Sequence, residues 1–273
     1  MTLEVALIQV RTPASQEAAL RQAEPLIRRA AADGARLVLT PEGTNLLQRN
    51  RERLFASLAP VEADPVVNGL RALAAELGVW LLIGSAMVLR ADGKAANRSL
   101  LVDPRGEITA AYDKLHMFDV DLPTGERHRE SAVYAPGDAA VVASAAEATL
   151  GLTICYDLRF PALHRALASA GAQALTVPAA FTRPTGAAHW EVLLRARAIE
   201  TGSFVLAPAQ GGVHEDGRET WGHSMVVAPW GEVIAQADHD EPCVVRAGLD
   251  LAQVAKARSA IPVLDNARAF TGP

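Results

Sequence analysis

The chain has 273 residues, half of them hydrophobic, and a formal net charge of −5 at pH 7. This length and composition are typical of a soluble globular protein with a substantial core. Acidic and basic residues are interspersed, which excludes the basic surface of a nucleic-acid-binding protein and the polybasic segments that bind acidic membranes. We therefore expect a small-molecule partner, with no nucleic acid and no membrane.

Cysteine usage and hydropathy indicate the compartment. The two cysteines, Cys155 and Cys243, lie far apart and lack the paired spacing of a structural zinc site or a redox motif. This pattern favours a reducing compartment. The first ten residues read as a strand rather than a basic leader, and the longest apolar run, 79–89, is too short to cross a bilayer. We expect a cytoplasmic protein.

The first predicted elements alternate between strand and helix. A strand is predicted over 3–10. A helix follows from its N-cap, Ser15, to Ala32, where the Asp-Gly pair at 33–34 ends it. A buried strand over 35–40 comes next and ends in Pro-Glu.

A second helix and a group of strands complete the first half. The helix begins after the N-cap Asp64, has Pro65 in its first turn, and is closed by Gly78. Strands are then predicted over 79–84, 85–90, 97–103 and 107–114, with an Asp-Gly turn at 92–93. The elements imply mixed parallel and antiparallel pairing.

The second half repeats the pattern of the first. At a spacing of 137 positions, Arg28, Ala31, Gly34, Ala35 and Pro41 recur as Arg165, Ala168, Gly171, Ala172 and Pro178. The segments 76–80 and 102–110 recur as 200–204 and 227–235, at spacings of 124 and 125. Ordinary turn chemistry also produces such matches. The alternative is a duplicated unit.

A duplicated unit predicts the fold class. Each half would contribute one mixed sheet with helices on one face, and strands this apolar must be buried on both faces. Two such halves would stack sheet against sheet, with the helices outside. We therefore predict an α/β protein with a four-layer α-β-β-α sandwich of two mixed sheets, internally pseudo-duplicated, and one domain over 1–273.

Three reactive side chains follow predicted strands. Glu42 comes after the strand over 35–40, Lys114 ends the strand over 107–114, and Cys155 closes the apolar segment 150–154. Sites in open α/β sheets gather beyond strand ends. A carboxylate, an ammonium and a thiol are sufficient for nucleophilic acyl transfer. Each residue also has a structural alternative, as a cap, a solvated lysine or a core cysteine.

Several segments of the sequence resemble the motifs of a known enzyme family. TPEGTNL at 40–46, YDKLHMFDVD at 112–121 and TICYDLRFP at 153–161 resemble, in order, the three motifs of the nitrilase superfamily of carbon–nitrogen hydrolases, whose triad is Glu-Lys-Cys. The resemblance continues through 180–201, 209–212 and 221–235, where it is strongest to the branch of deaminated-glutathione amidases and ω-amidases. It implies the αββα sandwich and a homodimer.

The resemblance also implies a role for each motif residue. Cys155 corresponds to the nucleophile, Glu42 to the general base, and Lys114, together with the backbone N–H of Tyr156, to the donors for the oxyanion. Glu130 matches a fourth carboxylate that lies near the lysine and the substrate in the family. An exposed loop acid is the alternative for this last residue.

Two further residues are candidates for substrate binding. Arg159, four residues after the cysteine, corresponds to an arginine thought to bind a substrate carboxylate in this branch. A guanidinium forms two parallel hydrogen bonds with a carboxylate. The alternative is a salt bridge with Asp157. Thr185 is a second candidate for the same substrate group.

A Cys-His mechanism is the competing hypothesis. It requires an oriented imidazole, for which His116, His189 and His223 are candidates, although none lies in a local signature of a known cysteine protease. Ser224 lacks the second glycine of a nucleophile elbow. Cys243 is interpreted as a packing residue.

Together these observations predict an amidohydrolase that uses no metal and no cofactor. It would cleave the C–N bond of a small carboxylate-bearing amide, either deaminated glutathione or the ω-amide of an α-keto acid, through a thioester. N-carbamoyl-amino-acid hydrolysis, nitrile hydrolysis and a catalytically silent interaction protein remain as alternatives. The segments 40–48 and 209–227 depart locally from the branch pattern, so the sequence leaves the substrate open.

Overall fold

Two six-stranded mixed sheets form the centre of the protein in the computed structural model, which describes residues 2–122 and 125–272. Sheet one contains, in spatial order, β16 (Cys243–Asp250), β1 (Thr2–Gln9), β2 (Leu37–Leu39), β3 (Trp80–Leu89), β4 (Ala95–Val102) and β5 (Ile108–Asp113). Sheet two contains β15 (Val233–Gln236), β14 (Met225–Val227), β11 (Phe204–Ala207), β10 (Ala174–Thr176), β9 (Ala148–Leu152) and β8 (Val141–Ala145).

Helices and short strand pairs complete the fold. The α-helices are α1 (Gln16–Ala32), α2 (Arg51–Ser57), α3 (Pro65–Leu77), α4 (Pro161–Ser169), α5 (Arg183–Thr201) and α6 (Ala252–Ala260). Two hairpin-like pairs lie outside the sheets, β6 (Asp119–Asp121) with β7 (Arg127–Arg129) and β12 (Gly211–Val213) with β13 (Glu219–Trp221). Single 3₁₀ turns cover Val61–Ala63, Glu130–Ala132 and Cys155–Arg159.

The strands are apolar on both faces because each face packs into a different core. In β1, Val5 and Leu7 belong to the core between the two sheets, whereas Ala6 and Ile8 belong to the core under α1 and α3. Successive side chains of a strand point to opposite faces, so this alternation follows from the backbone. The helices α4 and α5 cover the outer face of sheet two. The predicted four-layer α-β-β-α sandwich is confirmed.

The internal repeat of the sequence is also a repeat of structure. The strands β2 and β10 begin 137 positions apart, and the preceding Gly34 and Gly171 have φ angles of 93° and 96°. Both halves contain three parallel strands followed by two antiparallel ones, β1 to β5 in sheet one and β9, β10, β11, β14 and β15 in sheet two. The duplicated-unit interpretation is therefore correct.

The predicted helix boundaries agree with the caps of α1 and α3. The Ser15 side chain accepts a hydrogen bond from the N–H of Ala18, and Asp64 accepts hydrogen bonds from the first N–H groups of α3. Gly78 ends α3 in the left-handed conformation, with a φ of 66°. The sequence patterns located these helix ends because capping is a local interaction.

The strands predicted separately over 79–84 and 85–90 form one strand, β3, with an irregular register between Ile83 and Ala86. A Cβ atom on Gly84 would lie 1.9 Å from the carbonyl oxygen of Thr40, so only glycine fits there. This close contact holds β3 against the segment that leaves β2. In the part of the chain that the structure describes, no helix is long and apolar enough to cross a membrane.

Candidate active site

The three reactive side chains predicted from the strand ends lie together in one cavity. Glu42 follows β2, Lys114 follows β5 and Cys155 follows β9, and all three line a cavity of about 710 Å³. Glu130, from the 3₁₀ turn after β7, lines the same cavity. The sandwich therefore brings carboxyl ends of strands from both sheets to one place.

Lys114 is held between two carboxylates. Its Nζ donates to Oε1 of Glu42 at 3.1 Å and to both carboxylate oxygens of Glu130, at 2.9 and 2.8 Å. Burial alone would lower the pKa of this lysine, but the charges of Glu130 and Glu42 raise its pKa well above the ordinary value. The side chain is only 2% exposed, so the site contains a fixed, buried ammonium group.

Glu42 is an ionised carboxylate in a buried setting. Burial alone would raise its pKa, but the charge of Lys114 and hydrogen bonds from Cys155, Asn97 and Lys114 outweigh this effect and lower the pKa. Asn97 Nδ2 donates to Oε1 at 2.9 Å, and the N–H of Ala180 donates to Oε2 at 2.9 Å. These donors hold the Glu42 carboxylate in one orientation.

Cys155 has an unusual backbone conformation. Its φ is +49°, in the left-handed region that non-glycine residues rarely adopt, and its N–H donates to the carbonyl oxygen of Pro178 at 2.9 Å. Burial and the nearby negative charge of Glu42 raise the pKa of the thiol well above its usual value. The resting pair is thus a protonated thiol and an ionised carboxylate in the same cavity.

Tyr156 presents a backbone donor next to the thiol. Within the described residues its N–H has no hydrogen-bond acceptor, although the following N–H of Asp157 donates to Ile154 at 3.1 Å. The Tyr156 side chain lines the cavity and packs edge-on against the rings of Phe118 and Phe160. A free N–H beside a buried ammonium group is an arrangement that stabilises a developing oxyanion.

Asp157 connects the lysine segment to the cysteine segment, which the sequence analysis did not predict. Its carboxylate accepts from Tyr112 Oη at 2.6 Å, from the N–H of Ile154 at 2.9 Å, and from the N–H of His116 at 3.1 Å. His116 Nδ1 lies 2.7 Å from the same carboxylate. Tyr112 and His116 lie two residues before and two residues after Lys114. This spacing is the pattern in the sequence that could have indicated their shared contact with Asp157.

Arg159 does not pair with Asp157, the alternative left open by the sequence. The carboxylate of Asp157 is fully buried and is occupied by the contacts just described. Both terminal nitrogens of Arg159 lie 3.3 Å from Nδ1 of His189, and its guanidinium carbon lies 5.3 Å from the ring centroid of Phe181. Arg159 also lines the cavity that contains Cys155.

Thr185 lies in the first turn of α5 and lines the cavity. Its Oγ1 lies 2.8 Å from Oγ1 of Thr182, the N-cap residue of this helix. The side chain is buried, and the hydroxyl also donates to the Thr182 carbonyl at 3.3 Å. The structure therefore places Thr185 at the cavity wall, with its hydroxyl already bonded within the helix start.

The histidines of the competing Cys-His hypothesis do not line the cavity. His116 contacts Asp157, and His189 contacts Arg159. His223 Nδ1 lies 2.6 Å from the Trp221 carbonyl, and the two rings are stacked. Among the described residues, the imidazole that does line the cavity is that of His128.

The other two reactive side chains considered from the sequence also lie elsewhere. Ser224 is fully buried and its hydroxyl donates to Gln9 at 2.9 Å. Cys243 is half-buried at the start of β16 and does not line the cavity.

Several known proteins are similar to this chain in sequence and in fold. The carbon-nitrogen hydrolase family model matches residues 4–259. A deaminated glutathione amidase of Yersinia enterocolitica is 40% identical over 267 residues, which cover 97% of this chain and 92% of the relative. The C. elegans NitFhit protein superposes with a TM-score of 0.90 at 34% identity, over 98% of this chain and 65% of that one.

Saccharomyces cerevisiae Nit3, a member of branch 10 of the nitrilase superfamily, superposes with a TM-score of 0.86 at 28% identity, over 96% of this chain and 95% of the other. The family model covers most of the chain, and the Yersinia relative is similar over nearly its whole length. The chain therefore belongs to the carbon–nitrogen hydrolase family of the nitrilase superfamily, and it is an amidohydrolase.

Proposed function

We propose that this amidohydrolase cleaves a small amide whose acyl part carries a free carboxylate, and that it does so through a thioester on Cys155. The observation that carries the proposal is the ammonium group of Lys114, held between Glu42 and Glu130 beside the Cys155 thiol in one cavity. The side chains of the site supply a nucleophile, a base and an electrophilic donor, and the proposed reaction uses no metal and no cofactor.

In the acylation step, Glu42 takes the proton from the Cys155 thiol as the sulfur attacks the amide carbon. The depressed pKa of Glu42 and the raised pKa of Cys155 set the starting protonation states for this transfer. Lys114 and the N–H of Tyr156 stabilise the oxyanion. Glu42 then gives its proton to the departing amine, and the C–N bond breaks to leave the thioester.

In the deacylation step, Glu42 takes a proton from a water molecule that attacks the thioester carbon. The same donors stabilise the second oxyanion, the C–S bond breaks, and the proton returns to the sulfur. Glu130 takes no proton in this scheme. Because it contacts Lys114 through both oxygens, its role is to hold the ammonium group in place and charged.

Arg159 and Thr185 are the proposed anchors for the carboxylate of the acyl part. The guanidinium lines the cavity, contacts an imidazole and an aromatic face, and lies four residues from the nucleophile. Fixing a carboxylate there orients the scissile carbonyl against the sulfur. The relative from Yersinia is named as a deaminated glutathione amidase. We propose the same substrate class here, with the ω-amide of an α-keto acid as the second candidate.

The test compares wild type and Arg159→Lys on a matched pair, an amide with a free acyl carboxylate and its methyl ester. We expect Arg159→Lys to lose roughly ten- to a hundredfold in kcat/KM on the carboxylate, because an ammonium keeps the charge but not the paired donors. The loss on the ester should be much smaller. Equal losses on both substrates would make Arg159 a structural residue.

A substrate panel tests the reaction class. It contains deaminated glutathione, the ω-amide of an α-keto acid, N-carbamoyl amino acids and nitriles, and mass spectrometry follows the product and the thioester on Cys155. Faster turnover of a carbamoyl compound or a nitrile would replace the proposed substrate class. If none of these compounds formed a thioester, both the proposed substrate class and the thioester mechanism would fail.

We also propose a cytoplasmic homodimer with one domain over 1–273. The family match over 4–259 supports a single domain, and the two free cysteines favour a reducing compartment.

The proposed dimer contact is an exposed apolar surface. It contains Val192 and Ile199 of α5 and the neighbouring Trp230, which are 68%, 53% and 55% exposed. An apolar surface of this kind supports a contact between two copies. Analytical sedimentation tests the dimer: wild type should sediment with the mass of two chains, and Val192→Glu, which places a charge on this apolar surface, should sediment with the mass of one.

A further inference from the structure

The two proposed oxyanion donors come from different sheets. Lys114 follows β5 of sheet one, whereas the N–H of Tyr156 belongs to the turn after β9 of sheet two. The main chain of the lysine is tied to sheet one, because its N–H donates to the carbonyl of Asn97 in β4 at 3.0 Å. Two donors that stabilise one oxyanion need a fixed separation. A contact between the two segments must therefore set this separation.

The Asp157 carboxylate makes that contact. Its Oδ2 accepts hydrogen bonds from Tyr112 Oη at 2.6 Å and from the N–H of Ile154 at 2.9 Å. Its Oδ1 accepts from the N–H of His116 at 3.1 Å and lies 2.7 Å from Nδ1 of the same residue. Tyr112 and His116 lie on either side of the lysine, and Ile154 directly precedes the nucleophile. One carboxylate therefore joins the lysine segment to the nucleophile segment.

Each oxygen of this carboxylate faces two donors in a site without water access. Asp157 is fully buried. A carboxylate oxygen accepts hydrogen bonds, so the Nδ1 atom of His116 that faces it carries a proton. A buried polar group that loses a partner is costly. The four contacts therefore resist a displacement of either segment.

Aromatic rings repeat the connection. The ring of His116 stacks on that of Phe160, with centroids 3.5 Å apart, and the ring of Phe118 packs edge-on against that of Tyr156 at 5.0 Å. In each pair the first ring follows the lysine and the second follows the nucleophile. The two segments thus pack against each other, and the Asp157 carboxylate supplies the polar contacts between them.

The base and the nucleophile are positioned by other contacts. Glu42 accepts a hydrogen bond from the N–H of Ala180, in the segment after β10, at 2.9 Å. The N–H of Cys155 donates to the carbonyl of Pro178, in the same segment, at 2.9 Å. Neither contact uses Asp157. A change at this carboxylate should therefore act on the separation of the two oxyanion donors more than on the base.

We propose that Asp157 is a positioning residue for hydrolysis, which fixes the Lys114 ammonium group relative to the N–H of Tyr156. The carbonyl oxygen of the bound substrate carries less charge than the oxyanion, so the separation of the donors matters most in the transition state. A misplacement of about 1 Å costs about a hundredfold in rate. This inference rests on the proposed function, because it concerns the two donors of that mechanism.

The central variant is Asp157→Asn, which keeps the size of the side chain but turns an NH₂ group toward hydrogen-bond donors. We expect kcat to fall about 10- to 100-fold on an amide that wild type hydrolyses, with KM changed less than about twofold. The matched control is Asp64→Asn. Asp64 is also fully buried, its oxygens also accept from four donors, and it does not line the cavity. This control should keep the wild-type kcat.

Substitutions on the lysine side identify the contact that acts. Tyr112→Phe removes one oxygen atom and should lower kcat about 3- to 10-fold. His116→Asn keeps an N–H group in the place of Nδ1, whereas His116→Phe keeps a ring on Phe160 but no side-chain donor. The phenylalanine variant should lose at least about threefold more in kcat than the asparagine variant. Equal losses in these two variants would assign the effect to stacking and contradict the role of the carboxylate.

Alkylation of Cys155 by iodomethane separates positioning of the donors from a general defect. The sulfur displaces iodide from the methyl carbon, the thiol proton goes to Glu42, and no oxyanion forms. Mass spectrometry should therefore show that Asp157→Asn and Tyr112→Phe are alkylated at Cys155 within about twofold of the wild-type rate. A loss in alkylation as large as the loss in kcat would mean that Asp157 acts on the nucleophile or on the fold, and would overturn the proposal.

A folded Asp157→Asn protein with the wild-type kcat would also overturn it. Thermal unfolding of each variant identifies a folding defect, and Tyr112→Phe keeps the test valid if Asp157→Asn is unstable. Thioester formation by wild type separates the two proposals. If wild type forms no thioester, the proposed function fails. If wild type forms one and the variants keep its kcat, the positioning role fails while the proposed function stands.

Discussion

The two halves of the chain share one strand order but carry different residues at corresponding positions. Glu42 follows β2, and the residue 137 positions later, after β10, is Ala179. Leu7 of β1 lies opposite the last residue of β2, and Leu152 of β9 lies opposite the last residue of β10. Three residues further along, Val10 therefore occupies the position in the first half that Cys155 occupies in the second. The base position and the nucleophile position therefore each occur in both halves, but each has a reactive side chain in only one half.

The unreactive counterparts serve the structure. Ala179 donates its N–H to the Pro208 carbonyl at 3.0 Å and accepts from the N–H of Gln210 at 2.8 Å. Val10 is buried, and its carbonyl accepts from the N–H of Gly211 at 2.9 Å. The comparison teaches that the topology provides places for reactive groups, whereas residue type decides which of them react. Neither half contains the complete site.

The largest effect should come from substituting alanine for the nucleophile, Cys155, in comparison with the same substitution at its counterpart, Val10. Cys155→Ala should abolish hydrolysis and thioester formation while the protein stays folded, because it removes the attacking sulfur but little buried volume. Val10→Ala should instead lower the free energy of unfolding by about 2 kcal/mol and leave thioester formation intact. Calorimetry and mass spectrometry measure the two effects, and turnover by a folded Cys155→Ala protein would end the mechanism.

The next effect concerns the base and the ammonium group. Glu42→Gln and Lys114→Ala should each lower kcat by at least about a hundredfold, the usual loss for a general base or an oxyanion donor. His223→Asn, at a left-handed position that asparagine tolerates, should still form the thioester. If this variant were as inactive as Glu42→Gln, a Cys-His mechanism would replace the present one. Steady-state kinetics with the proposed amides decide the matter.

A third prediction concerns stability in acid, and it separates the helices α1 and α4. His164 in α4 is fully buried and stands 137 positions after Ile27, which is fully buried in α1. Burial lowers the pKa of His164 to about 4. The unfolded chain binds this proton near pH 6.5 and the native state does not, so stability is lost as pH falls from about 6.5 to 4, by about 3 kcal/mol.

The measurement for His164 is urea unfolding between pH 4 and 7. His164→Ile places the residue of α1 at the corresponding position of α4, and it should flatten the pH dependence of the free energy of unfolding relative to wild type. His214, whose pKa burial also lowers to about 4, remains in both proteins. An unchanged slope in the variant would mean that His164 titrates normally in the folded state.

The smallest expected effect is a nearly flat pH profile of kcat/KM. The pKa of Glu42 is lowered and those of Lys114 and Cys155 are raised, so no reacting group titrates between about pH 6 and 8. The rate should change less than about twofold over this range. At the repeat spacing of 125, the counterpart of Lys114 in the second half is His239. If an imidazole took the role of the lysine, kcat/KM would change with pH near pH 6.5. Such a transition would contradict the Glu-Lys-Cys assignment.

The sequence predicted the fold and the meeting of three strand ends because both depend on local or repeated patterns. The caps of α1 and α3 use neighbouring residues, and the two halves repeat at a fixed spacing. The helix α2 was not predicted, because its seven residues are too few to show a helical repeat of apolar positions. Its N-cap, Asn50, was the one local pattern that indicated it. The single strand β3 was divided because Gly84 and Ser85 resemble a break.

The contacts inside the site were harder to predict because they join distant segments. Asp157 and Tyr112 are 45 residues apart, and only the packing of the two sheets brings them within 2.6 Å. The sequence offered Arg159 as a nearby partner for Asp157, and the structure instead places His189, from α5, beside Arg159. Proximity along the chain was a poor guide here, since the Asp157 carboxylate already accepts hydrogen bonds from the Tyr112 hydroxyl and from the N–H groups of His116 and Ile154.

The pairing of β16 with β1 places the first and last strands of the chain side by side at one edge of sheet one. Thr2 lies opposite Asp250, as Ala148 lies opposite Ala145 where β8 turns into β9. A circularly permuted gene that joined the end of the chain to its beginning through a linker, and opened it before β8, would preserve these strand pairings. Cys155 would then precede Glu42 and Lys114. The chemistry therefore requires that the three strand ends meet in one cavity, and it does not require that the three motifs follow one another in this order along the gene.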